Sequence, residues 1–314
     1  MRVLGYSPLM NRRDFLLNTA AAPLMASLAP APAFAQGRQG PPTDPPATPA
    51  RPARPRTKLR QGVMSSVWGQ SKLTAEQQYE ILQKIGYVAV DLPSEKQVSV
   101  MKTYNLLPSM MTGTGTSFQN GLIRKEMHDQ FEKATREGID MCVRVGCPNL
   151  IALPGERRGM SREEGAENAV AFFNRVKGYA EQKNVTLCME ITNSKVVADA
   201  RTDQVFDHVA WGFDICKRVN SPRLKIVYDI YHVQVADGNI VQTMRDNIDW
   251  ICHIHVAGNP GRQEIDDTQE VNYRYVANAI ADLGYTGFVS HEWRPGPGRD
   301  FQKSLEQCFK IMDV

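Results

Sequence analysis

The chain is organised around residues 252–273, which read CHIHVAGNPGRQEIDDTQEVNY. This segment begins as an apolar run that predicts a buried strand, and it continues as a polar loop with two glycines and a proline. It offers an imidazole, His255, at the end of the strand and a guanidinium, Arg262, seven residues later. We therefore expect a functional site where this strand meets its loop.

The sequence from Leu59 onward alternates short apolar runs with amphipathic helical stretches. Eight strands are predicted, over residues 63–68, 87–92, 106–111, 149–153, 186–191, 224–230, 250–256 and 288–292. About eight helices separate them, and the first begins with a capping box formed by Thr74 and Gln77. Eight such units over roughly 255 residues favour a (β/α)8 TIM barrel. An open doubly wound sheet is the alternative, but residues 69–71 lack the glycine fingerprint expected after its first strand.

Polar side chains fall at the predicted carboxyl ends of four consecutive strands, where active sites of such barrels form. They are Glu190, Asp229, His255 and Glu292. Three carboxylates at one barrel mouth repel each other unless a cation compensates their charge. Carboxylate oxygens with one imidazole suit Mn²⁺, Mg²⁺, Co²⁺ or Zn²⁺. The pattern predicts one divalent metal ion held by these four residues, with His253 two residues deeper on the same strand face.

Several of these segments resemble the hydroxypyruvate isomerase family, which belongs to the xylose isomerase-like TIM barrels together with the ketose 3-epimerases. The matching segments are residues 190–193, 228–234, 255–264, 270–273 and 284–292. The resemblance implies one metal held by the four residues named above, with Glu190 and Glu292 also acting as the catalytic acid and base. It further implies that His232 and Arg262 bind substrate oxygens.

The chemistry of these residues agrees with proton transfer between adjacent carbons of a hydroxy-carbonyl compound. One group must remove the proton and another must return it, and two carboxylates can do both. A metal bound to both substrate oxygens stabilises the enediolate formed between the two steps. We therefore expect a metal-dependent isomerase with a small-molecule substrate.

Other functions remain open for the same barrel. A ketose 3-epimerase, and a lyase or hydrolase acting on oxidised sugars or glycosides, would use the same proton abstraction. A non-catalytic sugar-binding barrel would not need both glutamates. A DNA-repair endonuclease of the same superfamily is disfavoured because its three-metal cluster is richer in histidine, and this chain has six histidines in all.

The amino terminus carries the features of an export signal. Residues 11–16, NRRDFL, resemble the twin-arginine signal, and an apolar run and a small-residue cleavage site, AFA at 33–35, follow in order. The apolar run is too short and too rich in alanine and proline to remain as a membrane anchor. We expect residues 1–35 to be a twin-arginine signal peptide, which predicts a periplasmic or otherwise exported protein that uses the twin-arginine export machinery.

The remaining organisation follows from composition. Residues 36–58 are rich in proline, alanine and arginine, which predicts a disordered linker before a catalytic domain at 59–314. The net charge of +3 comes largely from this amino-terminal part, so the folded part is not expected to bind nucleic acid. A homo-oligomer is a further expectation, because such families often form dimers and tetramers.

Overall fold

The computed structural model of this protein describes residues 55–68, 71–196 and 203–314. The predicted signal peptide and the predicted linker up to residue 54 lie outside these ranges. Thr57, near the end of that linker, donates its hydroxyl to the carbonyl of Tyr285 at 2.8 Å. No helix in the described ranges is long and apolar enough to cross a membrane.

Parallel strands form the centre of the fold. They are β1 (Arg60–Met64), β2 (Ala89–Asp91), β3 (Leu107–Met110), β4 (Asn149–Ala152), β5 (Thr186–Glu190), β6 (Leu224–Asp229), β7 (Ile251–Val256) and β8 (Phe288–His291). Hydrogen-bonded neighbours follow the order β3-β2-β1-β8-β7-β6-β5-β4, and β3 meets β4 through a bridge between Met111 and Leu150. The sheet thus closes on itself almost completely, and the predicted (β/α)8 barrel is confirmed.

Helices connect the strands around the outside of the barrel. Those in the described ranges are α1 (Ala75–Ile85), α2 (Glu95–Thr103), α3 (His128–Val145), α4 (Arg162–Lys183), α5 (Val209–Val219), α6 (Ile230–Ala236), α7 (Ile240–Asn247), α8 (Tyr273–Asp282) and α9 (Phe301–Met312). The predicted capping box opens α1, because the side chains of Thr74 and Gln77 each accept the other residue's backbone N–H.

The first strand differs from its prediction. It begins at Arg60 rather than residue 63, and Ser65–Trp68 forms a 3-10 helix instead of continuing the strand. Pairing of residues 60–62 with β8, in the register Arg60 to Phe288, extends the strand backwards. This non-local pairing is invisible to a local hydrophobic pattern, which explains the shift.

The apolar core has two parts. Most buried side chains pack between the strands and the helices, with Phe131, Phe172 and Trp293 among the largest that are fully buried. A smaller cluster fills the barrel interior and consists of Met110, Ile151, Cys188 and Val227. The polar side chains described below follow this interior cluster toward the carboxyl ends of the strands, as in other barrels of this kind.

Candidate active site

Four polar side chains meet at the carboxyl ends of neighbouring strands. Glu190 and Asp229 are the last residues of β5 and β6, His255 is the penultimate residue of β7, and Glu292 directly follows β8. One potential ligand atom of each lies within 4.8 Å of those of the others. The structure therefore brings together the four residues that the sequence nominates as metal ligands.

The imidazole of His255 lies between two of the carboxylates. Its Nδ1 atom is 3.1 Å from Oε1 of Glu190 and 2.7 Å from Oε2 of Glu292. One ring nitrogen carries at most one hydrogen, so it cannot satisfy both carboxylates. Oε2 of Glu292 is buried and, within the described ranges, its close contact with Nδ1 of His255 is not aligned as a hydrogen bond. An acceptor buried in this way is suited to a cation.

Asp229 is oriented by the helix that follows it. Its Oδ1 atom accepts the backbone N–H groups of Tyr231 at 2.9 Å and His232 at 3.3 Å, in the first turn of α6. The sequence analysis did not predict α6, because its seven residues are too few to show a helical period. Capping by one oxygen leaves Oδ2 directed at the site, where it meets Arg262 at 3.0 Å.

The two residues predicted to bind substrate, His232 and Arg262, lie beside the four candidate metal ligands. Arg262 is 3% exposed, and its guanidinium is 3.1 Å from Nε2 of His232. The same guanidinium is 2.7 Å from Oε1 of Glu292, so it already forms ion pairs with two candidate ligands. His232 is fully buried, and its Nδ1 lies 2.7 Å from the amide nitrogen of Asn193. A lone amide carries no spacing signal, and the sequence analysis assigned Asn193 no role.

The charges of the site shift the ionisation of its members. Burial raises the pKa of Asp229 to about 7, although Arg262 opposes this effect. Burial also acts to raise the pKa of Glu292, but Arg262 and His255 outweigh it and hold that pKa below its usual range. Burial lowers the pKa of His255, yet Glu292 and the other neighbouring carboxylates raise it well above its ordinary value. Among these residues, protons and one guanidinium therefore balance the carboxylate charge.

A further carboxylate, Asp91, lies at the end of β2 and is fully buried. Its Oδ2 atom is 2.9 Å from Nε2 of His253 and 2.9 Å from Nε2 of His255. The sequence analysis missed Asp91, although it ends a strand as the candidate ligands do. His253 lies below His255 on the same strand, as expected, and joins the two sides of the barrel through this carboxylate.

The donor set fits one divalent cation. Three carboxylates and an imidazole supply oxygen and nitrogen ligands, and Oε2 of Glu292 is a buried carboxylate oxygen without a well-aligned hydrogen bond. No thiolate belongs to this group, which argues against a structural zinc site.

Two cavities lie at opposite ends of the strands. One, of about 870 Å³, is lined by residues that follow β1 and β8, including Trp68, Arg294 and Arg299. The other, of about 510 Å³, is lined by residues at the beginnings of strands, such as Arg60 and Thr186. The candidate ligands belong to the same end of the barrel as the first cavity, but none of them lines it.

The chain is similar in sequence to a known protein family and to individual curated proteins. Residues 81–310 match the family of xylose isomerase-like TIM barrels. A putative hydroxypyruvate isomerase of Homo sapiens is 30% identical over 175 residues, which cover 52% of this chain and 61% of that protein. A 2-oxo-tetronate isomerase of Cupriavidus necator is 34% identical over 119 residues, which cover 38% of this chain and 44% of that protein. The chain thus spans less than two thirds of the length of these curated relatives.

Solved structures show the same fold. A family 2 AP endonuclease from Brucella melitensis superposes with a TM-score of 0.70 at 19% sequence identity, covering 79% of this chain and 96% of that chain. At this identity the similarity speaks for the fold alone. The family match covers residues 81–310, and the described residues form the eight-stranded barrel of that family. The chain therefore belongs to the xylose isomerase-like TIM barrel family.

Proposed function

We propose that this chain is a divalent-metal-dependent isomerase of a small hydroxy-carbonyl compound, of the hydroxypyruvate isomerase type. The observation that carries the proposal is the group of three carboxylates and one imidazole at the barrel mouth. Relatives named as isomerases of hydroxypyruvate and of 2-oxo-tetronate support the reaction class. Both substrates named there are small oxo acids, so we expect a carboxylate on the substrate of this chain.

Glu190, Asp229, His255 and Glu292 would hold the metal. When bound, a divalent ion polarises the substrate carbonyl and stabilises negative charge on the neighbouring oxygen atoms. The nearly complete burial of these side chains lowers the local dielectric, which strengthens each of their charge interactions.

Glu190 and Glu292 would move the proton. One carboxylate removes the proton from the hydroxyl-bearing carbon, and the other, in its protonated form, delivers a proton to the adjacent carbonyl carbon. The hydroxyl proton passes to the former carbonyl oxygen, so that carbonyl and hydroxyl exchange places. Their side chains are 5% and 11% exposed, so bulk water has little access to the transferred proton. Their contacts with Nδ1 of His255 hold both carboxylates at the same side of the imidazole.

Arg262 and His232 would orient the substrate. A guanidinium has a planar set of donors that matches a carboxylate or two hydroxyl groups. The guanidinium of Arg262 lies 3.1 Å from His232 and forms an ion pair with Glu292, so it connects His232 to the proton-transferring group. This arrangement supports recognition of the oxidised end of an oxo acid.

The proposal is tested by metal analysis and deuterium exchange. The purified chain is assayed for bound metal and then incubated in deuterated water with hydroxypyruvate, 2-oxo-tetronate and a panel of ketoses. We expect one metal ion per chain and deuterium in one substrate with its isomer as product. Exchange that yields only a 3-epimer would replace the isomerase by an epimerase. A chain that binds no divalent metal under any loading condition would refute the site.

We also propose export through the twin-arginine machinery to the periplasm. The support is the NRRDFL segment at residues 11–16 and the cleavage-site pattern at residues 33–35. Replacing Arg12 and Arg13 together by lysine should retain the protein in the cytoplasm of a bacterium that has this machinery. Equal amounts of wild type and variant in the periplasmic fraction would refute this route.

A further inference from the structure

The carboxylate of Asp91 is surrounded by hydrogen-bond donors from three other strands. Oδ2 lies 2.9 Å from Nε2 of both His253 and His255. Oδ1 accepts hydrogen bonds from the hydroxyl groups of Ser109 and Ser290. All five side chains are fully buried. An ionised carboxylate only accepts hydrogen bonds, so this environment supplies what a buried Asp91 requires.

These contacts decide which nitrogen of His255 carries a hydrogen. Because Asp91 accepts, Nε2 of His255 must donate. The atom left for a second proton or a metal ion is then Nδ1. Nδ1 is the atom that faces Glu190 at 3.1 Å and Glu292 at 2.7 Å. The imidazole is thus held with its ligating atom toward the other candidate ligands.

We propose that Asp91 is a positioning residue that fixes the tautomer and ring orientation of His255, and so sets the affinity of the centre for its divalent metal. The inference rests on the proposed function, since it takes His255 as a metal ligand. A carboxylate behind a ligating histidine holds the ring and increases its basicity, and removal of such a partner typically costs about 10–100-fold in metal affinity.

Asp91, His253 and His255 also lie close enough together to be considered as a metal site themselves. Three observations favour hydrogen bonding instead. Both Nε2 atoms are at 2.9 Å from Oδ2, which is an ordinary hydrogen-bond length. The other carboxylate oxygen already has two hydroxyl donors. His255, which belongs to both groups, presents Nε2 to Asp91 and keeps Nδ1 for Glu190 and Glu292.

The first test measures metal affinity of the metal-stripped full chain by calorimetric titration with Zn²⁺ and with Mn²⁺. Asp91→Asn keeps the size of the side chain but removes its charge and one of its acceptor atoms. We expect its metal affinity to fall by about 10–100-fold. Ser109→Ala is the matched control, because it removes a buried hydrogen bond to the opposite oxygen of Asp91 and leaves His255 untouched. Its affinity should stay close to that of the wild type.

Equal losses in Asp91→Asn and Ser109→Ala would show a general structural effect and overturn the proposal. Two metal ions per wild-type chain would overturn it as well, because the group around Asp91 would then be a ligand set. A folded Asp91→Asn variant that binds metal as tightly as the wild type would also overturn the proposal.

The second test needs only the wild-type chain and therefore remains available if Asp91→Asn does not fold. Two-bond ¹H–¹⁵N correlation spectra of histidine-labelled protein report which ring nitrogen is protonated, in the metal-free and the Zn²⁺-loaded states. We expect Nε2 of His255 to be protonated in both. A chain that binds metal with Nε2 unprotonated would refute the role of Asp91 alone. A chain with Nε2 protonated that binds no metal would refute the proposed function and, with it, the effect of Asp91 on affinity.

Discussion

Nη2 of Arg262 lies 2.7 Å from Oε1 of Glu292, at the centre of the candidate site. The same nitrogen lies 3.0 Å from Oδ2 of Asp229. One guanidinium therefore compensates two of the carboxylates that we propose as metal ligands. A bound metal ion and Arg262 would together compensate this negative charge, so the stability of the protein should depend on both.

Arg262→Met should destabilise the metal-free protein by about 3–5 kcal/mol, since it leaves buried carboxylates without their partner. Saturating Mn²⁺ should recover much of that loss, because the metal then carries the compensating charge. Urea unfolding of wild type and variant, with chelator and with Mn²⁺, measures both effects. The same loss of unfolding free energy in both conditions would contradict the shared role.

Glu190→Gln and Glu292→Gln should each lower the rate of substrate proton exchange by about 10²–10⁴-fold, because an amide cannot act as the acid or the base. The rate is measured by deuterium incorporation at saturating metal. Asp207→Asn is the control, since Asp207 is a buried carboxylate that pairs with Arg162 at 2.6 Å outside the site. Exchange that survives in both glutamine variants would remove these residues from catalysis.

Replacing two helical glycines by alanine should change the free energy of unfolding in opposite directions. A Cβ on Gly212 would lie 2.2 Å from the ring of Phe206, which is buried and cannot move away. Gly212→Ala should therefore destabilise the protein by about 1–3 kcal/mol. A Cβ on Gly178 would meet nothing within 4 Å, so Gly178→Ala should stabilise it by about 0.5–1 kcal/mol. Urea unfolding of the two variants in parallel decides both, and a shared sign would contradict the packing described here.

Acid should weaken the fold partly through His128. Its ring is buried, with Nε2 2.8 Å from the carbonyl of Leu122, and burial lowers the pKa of His128 below its ordinary value. A histidine with a lowered folded pKa stabilises the protein above the unfolded pKa, about 6.5, and that stability is lost as the pH falls below it. The unfolding free energy of wild type should thus drop more steeply between pH 7 and pH 5 than that of His128→Gln. Parallel pH profiles would show that His128 does not contribute.

The sequence located the barrel and the ends of its last four strands because those signals are local. The strands β5 to β8 are four to six residues long and mostly apolar, and each has an acidic or imidazole side chain at or next to its carboxyl end. Parallel strands in consecutive order bring their carboxyl ends to one rim, so four separate positions in the chain predict one cluster. Their convergence within 4.8 Å follows from that geometry.

Asp91 was not predicted as a site residue because its contacts are distant in the sequence. Its partners His253 and His255 are 162 and 164 residues away in the chain. Asp91 ends its strand as the candidate ligands do, but β2 has three residues and all are buried, so its pattern does not show which side chains face the barrel interior. The start of β1 depends in the same way on its pairing with β8. The helix α6 was not predicted because its seven residues are too few to show a helical period.

The closure of the barrel between β3 and β4 has a consequence for the evolution of such a protein. The strands β5 to β8 form an uninterrupted series of hydrogen-bonded ladders, whereas β3 and β4 meet only through the bridge between Met111 and Leu150 among the described residues. All four candidate ligands belong to the uninterrupted half. Insertions and substitutions near β3 and β4 would alter the walls of the barrel mouth while leaving the ligands in place. Duplicated copies of this chain should therefore diverge in the molecules they accept sooner than in the chemistry they perform.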